Sequence, residues 1–214
     1  VQEGARIEDL NVSGSVKASS ACEAAGGLAG RNEGEIENCS FSGSVSGSST
    51  TGGLVGENTA SGVIRASKSG GAVTGSKMTG GIVGSSRGKI VDCVNGAYVN
   101  TVSGDQAISL ENVNLDFSLD MTKLTTGDAL LSSYDTGGIT GYNAGTIRAC
   151  ENRAIVGYQH VGYNVGGIAG RSCGYITVCQ NAGAVYGRKD VGGITGQMEP
   201  YIEMQLSEST LSKL

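Results

Sequence analysis

Six short blocks decide the fold: Gly26-Gly27-Leu28-Ala29-Gly30, Gly52-Gly53-Leu54-Val55-Gly56, Gly80-Gly81-Ile82-Val83-Gly84, Gly137-Gly138-Ile139-Thr140-Gly141, Gly166-Gly167-Ile168-Ala169-Gly170 and Gly192-Gly193-Ile194-Thr195-Gly196. Their first glycines are 26, 28, 57, 29 and 26 residues apart. The pattern continues downstream. Six residues after the last glycine of a block stands Ile36, Ile90, Ile147, Ile176 or Ile202, and in the second full unit Ile64 arrives two residues late. A glycine precedes most of these by two: Gly34, Gly62, Gly88, Gly145 and Gly174. Three residues after the isoleucine comes Cys39, Ser67, Cys93, Cys150 or Cys179, and six further on Val45, Val73, Val99, Val156 or Val185. Ile7, Leu10 and Val16 keep the same register at the start of the chain.

Each unit therefore holds three short apolar stretches between Gly/Ser/Asn-rich turns. They are too short for helices and rich in β-branched or small residues. One unit buries little by itself, but units stacked about 4.8 Å apart place like residue on like and create a continuous core. The expected fold is all-β, a right-handed parallel β-solenoid of six to seven coils. Four internal ladders run along it: Leu28, Leu54, Ile82, Ile139, Ile168 and Ile194, then the isoleucines, a column mostly of cysteine, and the valines. The glycines mark corners that need positive φ or close backbone approach. A propeller needs longer repeats, and a leucine-rich repeat needs more leucine.

Composition agrees. There are 37 glycines among 214 residues, one proline, no tryptophan and one histidine. Glycine without a G-X-Y period excludes collagen. Fixed apolar positions argue against a disordered Gly/Ser chain. A net charge of −5, with 16% charged residues, lacks the basic clusters that nucleic acid or an anionic membrane requires. No apolar run reaches the roughly 18 residues of a membrane span, so no membrane insertion is expected. Both ends read as cut points in a longer protein, and Ser212-Lys213-Leu214 as a chance match to a peroxisomal address. The solenoid domain is expected over 1–204, with 205–214 starting a helix or linker: Pro200 replaces a turn glycine, and Ser207 to Thr210 offer an N-cap.

The block followed by G-x-I-x-x-C and G-x-V resembles the GLUG-motif repeat over residues 1–99 and 137–202. The resemblance implies a bacterial cell-surface or secreted protein, as with repeats in adhesin-like proteins and in non-catalytic regions of IgA-specific metallo-endopeptidases. The HExxH zinc motif of those peptidases is absent from the chain, so no catalytic residue carries over, and no LPxTG-type wall anchor is present.

Candidate chemistry is sparse. Cys39, Cys93, Cys150 and Cys179 share a repeat position with Leu10 and Ser67, which suits buried, reduced filler. A disulfide between stacked neighbours and a metal site are the rival readings. Against the first, the Cβ vectors run parallel; against the second, there is no CxxC. Cys22 and Cys173 fall in turns and are the more accessible thiols. His160 lies in a turn with no nucleophile elbow around any serine. Gly88-Lys89 lacks the first glycine and the Ser/Thr of a P-loop. The glycine blocks lack the Asp and the nine-residue period of calcium nonapeptides. No cofactor is expected.

Some β-helices act on polysaccharides, which needs acids clustered on one face. The residues flanking the isoleucines are Arg6, Glu35, Val63, Lys89, Thr146, Tyr175 and Tyr201 on one side and Glu8, Glu37, Arg65, Val91, Arg148, Thr177 and Glu203 on the other. That mixture reads as a solvated face. The expected function is a non-catalytic surface module, an adhesion scaffold or spacer. The alternative is a fragment of a carbohydrate-active or proteolytic enzyme whose catalytic domain lies outside this chain.

Residues 101–135 break the repeat. Val113, Leu115, Phe117, Leu119 and Met121 alternate with polar residues, as in a strand with one wet face. This reads as an excursion on the solenoid flank, with a degenerate coil as the alternative. Irregular segments on rigid scaffolds tend to carry binding, so if the module binds a protein or glycan partner the contact is expected here, through Phe117, Leu119, Met121 and Tyr134; the alternative is that the apolar face simply covers a solenoid flank.

Overall fold

The computed structural model describes residues 1–101 and 133–200. These form four parallel sheets of six strands each, so that one strand from every sheet makes one of six coils. The first face carries Arg6–Glu8, Glu35–Glu37, Val63–Arg65, Lys89–Val91, Thr146–Arg148 and Tyr175–Thr177. The second carries Asn11–Lys17, Ser40–Gly47, Lys68–Gly75, Val94–Val99, Glu151–Asn152 and Gln180–Asn181. The third and fourth faces come from the glycine blocks. Strands ending on the first glycine (Ala24–Gly26 through Lys189–Gly192) form one, and strands starting two residues beyond the second glycine (Ala29–Asn32 through Thr195–Met198) form the other. Each unit thus has four strands where three apolar stretches are legible, because the Gly-Gly-Leu/Ile step is itself a corner that divides its block in two.

The ladders stand in register. Ile7, Ile36, Ile64, Ile90, Ile147 and Ile176 are successive partners on the first face. Val16, Val45, Val73, Val99, Val156 and Val185 follow one another in the same way. In the block column Leu28 N donates to Leu54 O, and the relay continues through Ile82, Ile139 and Ile168 to Ile194 at 2.8–3.0 Å. Inner members of these columns are fully buried, whereas Ile194 in the last described coil is 41% exposed. Lys89–Val91 bonds directly to Thr146–Arg148, and Val94–Asn95 to Glu151–Asn152. The stack therefore passes across the long interval with no strand between these partners. The residues of that interval, 102–132, and those after 200 lie outside the described residues, and with them the expected excursion and C-terminal helix.

Two local devices shape each coil. The turn from the first face to the second is made by one left-handed residue: Asp9, Asn38, Ala66, Asp92, Ala149 or Val178, with φ from 48° to 58°. No glycine takes this position, although Ala and Val are disfavoured there by about 1–2 kcal/mol. The block glycines serve close approach instead. A Cβ on Gly138 would lie 2.2 Å from Gly167 O and 2.4 Å from Asn152 Cγ. The interior is narrow, and a bare Cα lets the corner of one coil sit on the next.

Candidate functional site

The interior holds polar columns as well as apolar ones. Asn95, Asn152 and Asn181 succeed one another on the second face. Asn95 Nδ2 donates to Asn152 Oδ1 at 2.7 Å, and Asn152 Nδ2 to Asn181 Oδ1 at 2.7 Å. Each also closes a local turn: Asn95 and Asn152 Nδ2 donate to Ala97 O and Ala154 O at 3.0 and 2.9 Å. A second column, Asn32, Asn58, Ser86, Asn143 and Ser172, is fully buried at the end of the fourth face. There Asn32 Nδ2 reaches Asn58 Oδ1 at 2.9 Å, and Asn58 Nδ2 reaches Ser86 Oγ at 3.2 Å. The signal for this column was present: an Asn or Ser stands two before Gly34, Gly88, Gly145 and Gly174. These columns are structural, since their polar atoms are used on neighbouring coils and turns.

The cysteine column is likewise interior. Cys39, Cys93 and Cys150 are buried, and all six cysteines are free thiols. The ladder thiols donate to carbonyls two residues back, Glu37 O, Val91 O, Arg148 O and Thr177 O, at 3.1–3.3 Å. Cys179 is only half-buried, contrary to expectation, because it belongs to the last described coil. Cys22 and Cys173 are half-buried too. At Cys150 the contact with Cys179 pulls the thiol down. The contact with Cys93, together with burial, outweighs it and holds the thiol up at about 12. Iodoacetamide at pH 8 is therefore expected to spare Cys39, Cys93 and Cys150 in the folded protein and to label all six after denaturation without reductant. Peptide mass mapping reads this, and a linked pair in the denatured sample would refute the filler role.

The residues expected to carry chemistry or contact fall as follows. Phe117, Leu119 and Met121 lie outside the described residues. Tyr134 is 46% exposed, and its ring stacks on Tyr163 at 5.3 Å with the Arg188 guanidinium beyond, 5.9 Å from the Tyr163 ring. His160 is an exposed turn residue at φ 61°. The carboxylates of the first face are engaged by arginine: Arg6 bridges Glu8, Glu35 and Glu37, and Arg65 holds Glu35 at 2.7 Å. Among the described residues no three His, Cys, Asp or Glu side chains converge as metal ligands.

Among the described residues the stack is indented at one corner. At the corner leading from the fourth face to the first, Glu33, Thr59, Arg87, Ala144, Cys173 and Glu199 follow in register, each backbone N–H bonded to the coil before. Ala144 is the smallest of them. A cleft of about 400 Å³ opens there, lined by Ala60, Arg87, Tyr142, Ala144, Cys173, Glu199 and Pro200. Tyr142 is held firmly. Arg171 lies 4.8 Å over its ring and is anchored to Asp135 at 2.9 Å and Glu199 at 3.4 Å. The Tyr142 hydroxyl and the Cys173 thiol are 3.2 Å apart. That hydrogen bond first, then burial, pushes the hydroxyl up to about 12, so it is neutral at physiological pH.

Compared with known protein families, residues 21–46 match the model of the GLUG motif. They span the first glycine block and the Ile36, Cys39 and Val45 ladder positions.

The chain carries the GLUG motif.

The five other glycine blocks occupy the same place in the stack as the one in this match, so the GLUG unit corresponds to one turn of the solenoid. No curated protein and no solved structure matches the chain. Among the described residues there is no helix long and apolar enough to cross a membrane.

Proposed function

We propose that this GLUG solenoid is a non-catalytic module of a bacterial cell-surface or secreted protein, serving as an adhesion scaffold or spacer. The observation that carries the reading is the regularity of the stack: six coils in one register, with the first-face carboxylates tied to arginines. Such a carboxylate is committed to its ion pair and poorly suited to the acid and base roles of glycoside cleavage. A rigid rod of parallel coils separates what lies at its two ends, and its flank offers a surface for contact. The segment 101–135, with Phe117, Leu119, Met121 and Tyr134, is the proposed contact with a protein or glycan partner.

Beads coated with the chain are expected to adhere to host-type glycoprotein surfaces, and the chain in solution to leave peptide and polysaccharide panels uncleaved. Replacing 102–132 by a short Gly/Ser linker is expected to preserve the β-rich circular dichroism spectrum and to weaken adhesion. Turnover of any substrate would overturn the non-catalytic reading. Undiminished adhesion of the linker variant would move the contact onto the coils.

A further inference from the structure

The cleft at Ala144 is concave, and its lining combines small apolar, aromatic, cationic, thiol and carboxylate side chains. Arg87 is one coil before Ala144 and Cys173 one coil after, so the gap they bound is two strand spacings, about 9.6 Å. That accommodates the edge of one pyranose ring between the two side chains. The Tyr142 ring supplies a flat apolar surface. Arg171 covers one of its faces from the following coil, and the partner in the preceding coil is Ser85, too small to cover the other. Ala60 and Ala144 continue the apolar floor, and Arg87, itself exposed, stands at the rim. A guanidinium presents a planar fork of donors that matches a carboxylate in bidentate geometry. At the opposite wall the Tyr142 hydroxyl, the Cys173 thiol and the Glu199 carboxylate offer donors and acceptors for hydroxyl groups.

We propose that this cleft binds an acidic sugar unit, a uronate or sialate residue of a glycan, with its C–H face against Tyr142 and its carboxylate on Arg87. An extended peptide fits less well. The strands around the cleft are hydrogen-bonded on both edges, so no backbone is left to receive an added strand. The chain as a whole is acidic at −5, so recognition of an anion depends on this local arginine. The inference rests on the surface-module reading and gives it a ligand class.

The test is titration of the full chain with D-glucuronate and with N-acetylneuraminate, using D-glucose as the neutral counterpart. Binding is read by saturation-transfer NMR and by the rate of Cys173 alkylation. At least one acidic sugar is expected to saturate in the millimolar range and to slow Cys173 alkylation several-fold, with glucose doing neither. Arg87→Gln should weaken binding about tenfold. Ala144→Leu should fill the cleft and abolish binding, and both variants should keep the parent unfolding midpoint. Absence of saturable binding, equal protection by glucose, protection only by an acidic peptide such as tetraglutamate, or binding that survives both substitutions would each overturn the proposal. The same mixtures, with oligosaccharides bearing these sugars, are analysed for released product. Cleavage would overturn the non-catalytic reading itself, whereas absence of binding overturns the ligand alone.

Discussion

Gly138→Ala is expected to destabilise the solenoid by about 3 kcal/mol or more, at the upper end of what overpacking does. Its Cβ would lie 2.2 Å from Gly167 O and 2.4 Å from Asn152 Cγ. The first is backbone held by the stack and the second is the centre of a hydrogen-bonded column, so neither gives way cheaply. Gly193 is the internal control. It holds the same block position in the last described coil, and a Cβ there meets nothing within 4 Å. Gly193→Ala should leave the urea midpoint within about 0.5 kcal/mol of the parent. Equal losses at both positions would show that glycine is needed for backbone freedom and not for contact between coils.

The asparagine column carries the second large effect. Asn152→Leu keeps the side-chain size but removes the bonds to Asn95, Ala154 and Asn181. It leaves one of the two Asn95 amide hydrogens without an acceptor, the other staying on Ala97 O, and takes the Asn152 side chain from the buried Ala154 N–H and carbonyl, at roughly 1–3 kcal/mol for each buried group left unpaired. A total loss of about 3 kcal/mol is expected. Asn181→Leu, at the half-buried end of the column, should lose about 1 kcal/mol. A double-mutant cycle between Asn95 and Asn152 should give a coupling above about 0.5 kcal/mol, because the two amides share one bond inside a chain of bonds. Additive effects would mean that the local turns, and not the column, hold these residues.

The glycine blocks and the Ile, Cys and Val positions were legible because each is set by one dominant constraint. No Cβ fits at Gly138, and only an apolar or small side chain fits at Ile90 or Cys93. The left-handed corner was not legible, since Asp9, Asn38, Ala66, Asp92, Ala149 and Val178 share a backbone angle and no side-chain property. A favourable stack imposes that angle on whatever residue stands there. The second-face asparagine column hid for a related reason. Phe41, Ser69 and Asn95 occupy successive positions of one column, so the column changes from apolar to polar along the rod and shows no single repeat identity. The fourth strand of each unit was masked by the block itself, read as one stretch although its Gly-Gly-Leu/Ile step turns the chain. The cleft rests on one small residue, Ala144, among larger ones. Such a gap becomes visible only once the coils have been stacked.

The solenoid requires coils that succeed one another in register, including across the 57-residue interval between Ile90 and Ile147. Selective labelling of isoleucine δ1 methyls and nuclear Overhauser spectroscopy test this directly. The predicted result is an unbroken series of contacts, Ile7 to Ile36 to Ile64 to Ile90 to Ile147 to Ile176, with the Ile90–Ile147 contact as strong as the Ile64–Ile90 contact. A series that breaks between Ile90 and Ile147, or contacts between isoleucines two or more coils apart in place of neighbours, would contradict the solenoid described above.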